Sequence, residues 1–198
     1  MPSLPDSDKV IAIMRDVAAR EIMPRFGNLA AADIAEKRGP KDLVTIADTQ
    51  AEKALTEALL ALAPGSAAVG EEAVDADPEV LAALGGNAPV WLIDPVDGTN
   101  NFANGKACFA VIVGYCAGGD IRGGWIYDPV NDAAVWAKEG EGTWMDTAKE
   151  RRRLRLPAPK AVAQMTGSLG HRWTKRLKER LKAGLGIQGP RLVRYGCT

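Results

Sequence analysis

The chain is poor in histidine: its 198 residues contain one, His171. Mechanisms that need a histidine pair, or a histidine beside a nucleophile, have almost nothing to draw on. Acid–base and metal chemistry therefore fall to carboxylates. Cysteine is scarce as well. Cys108, Cys116 and Cys197 are odd in number and scattered, which fits neither a disulfide framework nor a zinc spacing. They read as reduced, buried thiols in a cytoplasmic protein. Net charge is absent, with 25 Lys and Arg against 25 Asp and Glu, so there is no global electrostatic case for nucleic acid or an anionic membrane. No apolar run approaches the ~20 residues of a membrane helix. The N-terminal MPSLPDSDKV has neither an apolar signal core nor an Arg-rich amphipathic character. These absences describe a soluble, cytoplasmic chain with no nucleic-acid and no membrane partner.

What is present is a succession of helix and strand signals. Asp6 or Ser7 can cap a helix whose apolar residues, from Val10 to Ile22, recur at helical spacing. Pro24 and Gly27 end it. Asp33–Lys41 is polar and carries no clear period. A second amphipathic helix follows Leu43-Val44-Thr45, with Thr45 and Asp48 at its N-terminus and Pro64-Gly65 beyond its end. Ala67–Val69 and Val90–Ile93 are short apolar strands. From Phe109 to Met145, strands broken by Gly, Asn, Asp and Pro predict an antiparallel meander. Trp125, Tyr127, Trp136 and Trp144 belong to its core and cross-strand pairs. The run Arg151–Leu156 is a solvated basic edge or loop without the interleaved aromatics of a nucleic-acid surface. Val162–Thr166 reads as a strand, Arg172–Ala183 as an amphipathic helix, and Arg191–Tyr195 as the start of a strand with no visible partner. The order predicts layered α and β with a mixed sheet.

The chemistry gathers in Trp91–Gly105, WLIDPVDGTNNFANG. The apolar Val90–Ile93 delivers two carboxylates, Asp94 and Asp97. Side chains three apart on a regular strand face opposite ways. Pro95 favours an extended Asp94, and Gly98 licenses a sharp turn in which the two carboxylates can converge, with the Val96 carbonyl between them. Hard oxygen donors of this kind suit Mg²⁺. Two carboxylates in a dry site also demand a cation, because each raises the other's pKa. Gly98-Thr99-Asn100 offers backbone N–H groups at a helix start, a natural seat for phosphate. Glu71 is the natural third carboxylate: it follows a short apolar strand as Asp94 does, so adjacent strands would bring both to one sheet end. Metal donors beside an N–H cradle are the layout for phosphate-ester hydrolysis.

At these residues the chain resembles the inositol monophosphatase family of Mg²⁺-dependent, lithium-sensitive phosphatases. Asp94-Pro95-Val96-Asp97-Gly98-Thr99-Asn100-Asn101-Phe102 matches the family's D-P-[IV]-D-G-T-x-N-F signature. Gly70-Glu71-Glu72 matches its G-E-E, and Asp42-Leu43-Val44-Thr45 with Asp48 matches its D-L-V-T-x-x-D. The resemblance runs from the first helix to the end of the chain. It implies Glu71, Asp94 and Asp97 as metal ligands, with the Val96 carbonyl as a fourth. It implies Thr99 as a contact of metal or nucleophilic water, with Glu71 helping to activate that water. Gly98 and Thr99 N–H groups would hold the phosphate, and Asp48 and Lys37 would form an outer shell near a further metal. It also implies a five-layered α-β-α-β-α sandwich, a small phosphorylated metabolite as substrate, and a homodimer.

The departure is at the end. The family's W-D-x-A-A-G segment, with a further metal-ligating aspartate, is absent, and Gly196-Cys197-Thr198 stands where a G-[ST]-A turn begins. Residues 1–150 are accordingly read as the metal- and phosphate-binding α+β part. Residues 151–198 are the start of a C-terminal α/β part whose remainder is missing, and residues 1–198 alone are expected to lack normal phosphatase activity. Inositol monophosphate is the first substrate reading; histidinol phosphate, sugar phosphates and nucleotide 3'-phosphates stay open. A phosphatase with an aspartyl nucleophile uses D-x-D-G-T, whereas here two residues separate the aspartates. A metal- or phosphate-binding module without catalysis is the remaining alternative.

Overall fold

The computed structural model describes residues 4–39, 42–158, 166–168 and 191–193. The expected helix Arg172–Ala183, His171 and Cys197 lie outside the described residues. By its internal contacts the chain forms two units, Met1–Leu154 and Arg155–Thr198.

In the first unit, Asp6 begins helix α1 (Ser7–Val17) by accepting the N–H groups of Asp8 and Lys9 at 2.9 and 3.4 Å, which satisfies donors that no helical carbonyl reaches. Val10, Ile11, Met14 and Val17 make its buried stripe. The helical path runs on to Arg25, but as a π turn over Ala18–Ile22 and a 3-10 turn over Met23–Arg25. Pro24 has no N–H to give, and the wider and tighter turns absorb its loss. The polar stretch after it, which lacks a period in the sequence, forms strand β1 (Ile34–Gly39). It pairs antiparallel with β2 (Asp42–Thr45). The partner strand, not local pattern, makes it a strand.

Thr45 closes β2 and caps α2 (Ile46–Leu62). Its hydroxyl accepts from Ala47 N at 3.2 Å, and its own N–H donates to Asp48 Oδ2 at 2.8 Å. This is a reciprocal capping box. Gly65, at φ +85°, takes the chain away from the helix end. Helices α1 and α2 pack against each other and against a seven-stranded sheet. Its order is β3-β4-β5-β6-β7-β8-β9. Strand β3 (Ala67–Gly70) runs parallel to β4 (Val90–Asp97), and short helix α3 (Glu71–Ala76) follows β3 directly. Helix α4 (Thr99–Ala103) follows β4. The rest is the expected meander: β5 (Ala110–Ala117), β6 (Asp120–Asp128), β7 (Ala133–Lys138), β8 (Gly142–Thr147) and β9 (Arg151–Leu154), each antiparallel to its predecessor. Gly118 and Gly119 both have positive φ, the conformation a two-residue hairpin turn needs to match strand twist. With one parallel pair at its edge, the sheet is mixed.

The meander aromatics fill the core and pair across strands. Trp125 and Trp136 are register partners, as are Trp136 and Trp144, whose rings stack with centroids 6.1 Å apart. Cys108 and Cys116 are half-buried rather than buried. The basic run forms the edge strand β9, where charge discourages pairing with another chain. Arg151 binds Asp146 through Nε at 2.8 and 2.9 Å and also pairs with Asp8 of α1. The Trp136 indole N–H donates to the same Asp146 at 3.2 Å. Burial raises the Asp146 pKa, but the Arg151 and Trp136 donors outweigh it and hold the carboxyl below its usual range. A depressed carboxyl pKa contributes stability above the unfolded-state pKa near ~3.9, and that stability is lost as pH falls through the folded value. Asp146→Asn is therefore expected to cost about 1–3 kcal/mol at pH 7. The cost should shrink below about pH 4, as read by urea unfolding at both pH values.

In the second unit, β10 (Thr166–Ser168) pairs parallel with β11 (Arg191–Val193). The last strand, expected to have no partner, thus has one. A parallel partner lies a crossover away in sequence, so no local turn signal announces it. Among the described residues, no helix is long and apolar enough to cross a membrane.

Candidate active site

Gly70 lies opposite Ile93 in the parallel β3–β4 register. The residue after each is a carboxylate: Glu71 opens α3 and Asp94 continues β4, so the register brings the two to one end of β3, close enough to interact. Asp97 arrives by a different device. Strand β4 stays extended through Pro95 and runs on to Asp97 with a register shift, and the turn comes at Gly98. Asp94 faces Ile112 and Asp97 faces Ala110, so Pro95 and Val96 together oppose the single residue Val111. A bulge of this kind inserts one residue and reverses the alternation of side chains. Trp91, Ile93 and Val96 consequently face the core, while Leu92, Asp94 and Asp97 share the other side. Pro95 fits there because a bulge spares it a ladder hydrogen bond. Glu71 and Asp94 border a largely apolar cavity of about 700 Å³ against the sheet face, lined in part by Ile112, Gly114, Gly124 and Val135.

The rest of the signature fastens the turn after β4. Gly98 has φ +94° and caps α4, a conformation that favours glycine. Asn101 and Phe102 both donate their N–H to the Gly98 carbonyl, at 2.8 and 3.0 Å. Phe102 is fully buried, with ring centroids 5.7 Å from Phe26 and 5.0 Å from Phe109. The Asn101 amide donates to the Cys108 carbonyl at 2.9 Å. The first N–H groups of α4, which no helical carbonyl can reach, follow directly on Asp97 in the chain. The Thr99 hydroxyl stands 3.0 Å from the Val96 carbonyl and 3.1 Å from Asp48 Oδ1. It has one proton for two acceptors.

Asp48 is buried inside the capping box. It accepts from Thr45 N, from the Thr45 hydroxyl at 2.5 Å and from Thr99. Burial raises its pKa against the opposing effect of these bonds. Asp48 thus ties the start of α2 to the start of α4. Lys37, one-tenth exposed, reaches Asp75 at 2.6 Å, Glu72 at 2.8 Å and Glu71 at 3.4 Å. Its burial lowers its pKa, but the Asp75 and Glu72 carboxylates outweigh that and raise it. Burial pushes Glu72 up to about 7 despite Lys37. The sequence reading overlooked Glu72 and Asp75 as partners of Lys37. It also overlooked Glu52, a nearly buried carboxylate on α2 that accepts the N–H groups of Glu72 and Ala73 at 2.7 and 2.8 Å. The signal was available: Glu52 is one helical turn from Asp48, on the stripe of Ala51 and Leu55, where a solvent-facing acid does not belong.

The electrostatics favour a cation. Burial, then Glu71, then Asp97 push the Asp94 pKa strongly up. Burial and Glu71 raise Asp97 as well. Asp94 Oδ1 is buried with no hydrogen-bond partner among the described residues, and a buried polar atom left without a partner is costly. Lys37 reaches Glu71 but is committed mainly to Glu72 and Asp75. Among the described residues, no three acidic, histidine or cysteine side chains close on one metal-sized point. The donor set nonetheless fits a hard divalent ion: all-oxygen, like-charged, and with one buried oxygen lacking a donor.

A family model, the inositol monophosphatase family, matches residues 6–192. An inositol-1-monophosphatase of Rhizobium meliloti is 33% identical over 146 residues, covering 74% of this chain and 51% of its own length. One from Bacillus subtilis is 36% identical over 116 residues, covering 59% of this chain and 42% of its own. The chain thus spans about half, or less, of these relatives. Among solved structures, an IMPase of Thermotoga maritima superposes with a TM-score of 0.76 at 24% identity, covering 96% of this chain and 68% of that one. Inositol monophosphatase II of Staphylococcus aureus gives 0.71 at 25%, covering 96% and 65%. The fold built above from strand register and packed helices is shared with these structures, and the chain belongs to the inositol monophosphatase family.

Proposed function

We propose that the whole protein is a Mg²⁺-dependent phosphatase acting on a small phosphate monoester such as inositol monophosphate. The observation that carries this reading is the bulge at Pro95-Val96, which turns Asp94 and Asp97 to one side beside Glu71, where Asp94 Oδ1 is buried without a donor among the described residues. Glu71, Asp94 and Asp97, with the Val96 carbonyl, would hold the ion. Bound Mg²⁺ supplies Lewis acidity toward phosphoryl oxygens and makes a nearby water more acidic. The Gly98 and Thr99 N–H groups bind the phosphate and stabilise its developing charge. Glu71 accepts the proton of the attacking water. The Thr99 hydroxyl orients that water, its own direction set by the Val96 carbonyl and Asp48. Asp48 and Lys37 act from outside, Asp48 on Thr99 and Lys37 on the helix that bears Glu71.

The test is phosphate release from a panel of monoesters by the whole protein. Expected is release that requires Mg²⁺ and falls with Li⁺, strongest for inositol monophosphate. Absence of release from every monoester would contradict the proposal.

A further inference from the structure

We propose that Glu52 is a positioning residue that sets the aim of Glu71 into the metal site, an inference that rests on the metal reading above. Helix α2 reaches the site twice. One helical turn apart, Asp48 holds Thr99 and Glu52 holds the start of α3. Helix α3 is short, Glu71–Ala76, and a helix of six residues has little stability of its own. Its first residue, Glu71, has a side chain 45% exposed, so packing does little to direct it. Lys37 reaches its carboxylate only at 3.4 Å and is held closer by Asp75 and Glu72, so the direction of Glu71 is set largely by its backbone. Each oxygen of Glu52 takes one N–H, from Glu72 and Ala73, and two such bonds fix both the position and the rotation of the first turn.

Gly70 makes this grip possible. A Cβ there would lie 2.2 Å from Glu52 Cδ and 2.5 Å from each of its oxygens. The backbone φ of Gly70 is −100°, which any residue adopts, so the glycine is required by the approach of Glu52 and not by conformation. A simple helix cap needs only one oxygen acceptor, and Ser or Asn supplies it. Glu52 instead adds a nearly buried negative charge close to Glu71. That is electrostatically adverse until a cation binds, and it suits a device whose benefit lies in the metal site.

The test measures Mn²⁺ affinity of the whole protein by EPR of the free ion, beside metal-free thermal unfolding, for wild type, Glu52→Gln, Gly70→Ala and Glu71→Gln. Glu52→Gln keeps one acceptor and the side-chain shape. Gly70→Ala keeps every charge and displaces the carboxylate. Both are expected to weaken Mn²⁺ binding by roughly tenfold, as supporting partners of metal ligands do. The double variant should lose less than the product of the singles, because both act on one contact. Unchanged affinity in both, with only lower unfolding temperatures, would reduce Glu52 to a helix cap and overturn the inference. A fall in Glu52→Gln alone would assign the effect to charge and overturn it equally. If Glu52→Gln does not fold, Gly70→Ala decides. If the wild type binds no Mn²⁺, or Glu71→Gln binds as wild type does, the metal reading itself fails.

Discussion

Asp94→Asn in the whole protein is expected to lower Mg²⁺-dependent phosphate release by more than about a hundredfold, while the metal-free protein becomes more stable. The first effect exceeds the 10–100-fold that outer partners of a metal site typically contribute, because Asp94 is assigned to the ion directly. The second effect has the opposite sign for a physical reason. Asp94 is crowded by burial and by the charges of Glu71 and Asp97, and its Oδ1 has no donor among the described residues. Asn keeps the shape and removes the charge that burial and those neighbours penalise. Metal-free thermal unfolding and a phosphate-release assay read the two effects separately. Wild-type protein at a Mg²⁺ concentration 100 times its dissociation constant should gain about 2.7 kcal/mol, and the variant should lose this gain. Lower metal-free stability together with unchanged release would mean that Asp94 serves only the fold.

Trp91→Ala is expected to destabilise the protein by about 3–5 kcal/mol, roughly 10 °C in unfolding temperature for a chain of this size. Trp91 is fully buried in the strand that carries Asp94 and Asp97. It packs edge-on against Tyr115, with ring centroids 4.6 Å apart, and lies 6.1 Å from Trp125. Removing the indole opens a cavity in the core beside Tyr115 and Trp125, which neighbours held in strands cannot fill by collapsing. Trp91→Phe should cost less than half as much. The indole N–H has no partner among the described residues, so Phe gives up no hydrogen bond and relieves a buried donor. Urea unfolding of the two variants checks the ratio. Equal costs would mean that the indole N–H, rather than ring volume, matters at this position.

Much of the site is legible in the sequence because its residues are consecutive or follow consecutive strands. Glu71 and Asp94 could be joined on paper by supposing β3 and β4 adjacent, and the parallel register does so. The route of Asp97 into the same group was not legible. The sequence attributes their convergence to the turn at Gly98, whereas the alternation is already reversed ahead of that turn by a bulge defined only against β5. The roles of Asn101 and Phe102 were hidden for a similar reason: their partners Cys108, Phe109 and Phe26 are set by folding. From the sequence Lys37 is an outer basic residue, but its clamp on Glu72 and Asp75 depends on the β1–β2 hairpin, whose first strand has no period to announce it. Glu52 is the instructive miss. On a helix, glutamate reads as a solvated residue, and only its place on the buried stripe beside Asp48 marks it otherwise. The partner of the last strand lay beyond any local reading, since parallel neighbours are joined by long crossovers.

Calorimetric titration of Mg²⁺ into the metal-free whole protein, beside its Asp94→Asn variant, shows most directly whether Glu71, Asp94 and Asp97 together bind a divalent cation. Saturable binding is expected in the wild type, with loss of that binding in the variant. Equal binding by both proteins, or none by the wild type, would contradict that expectation.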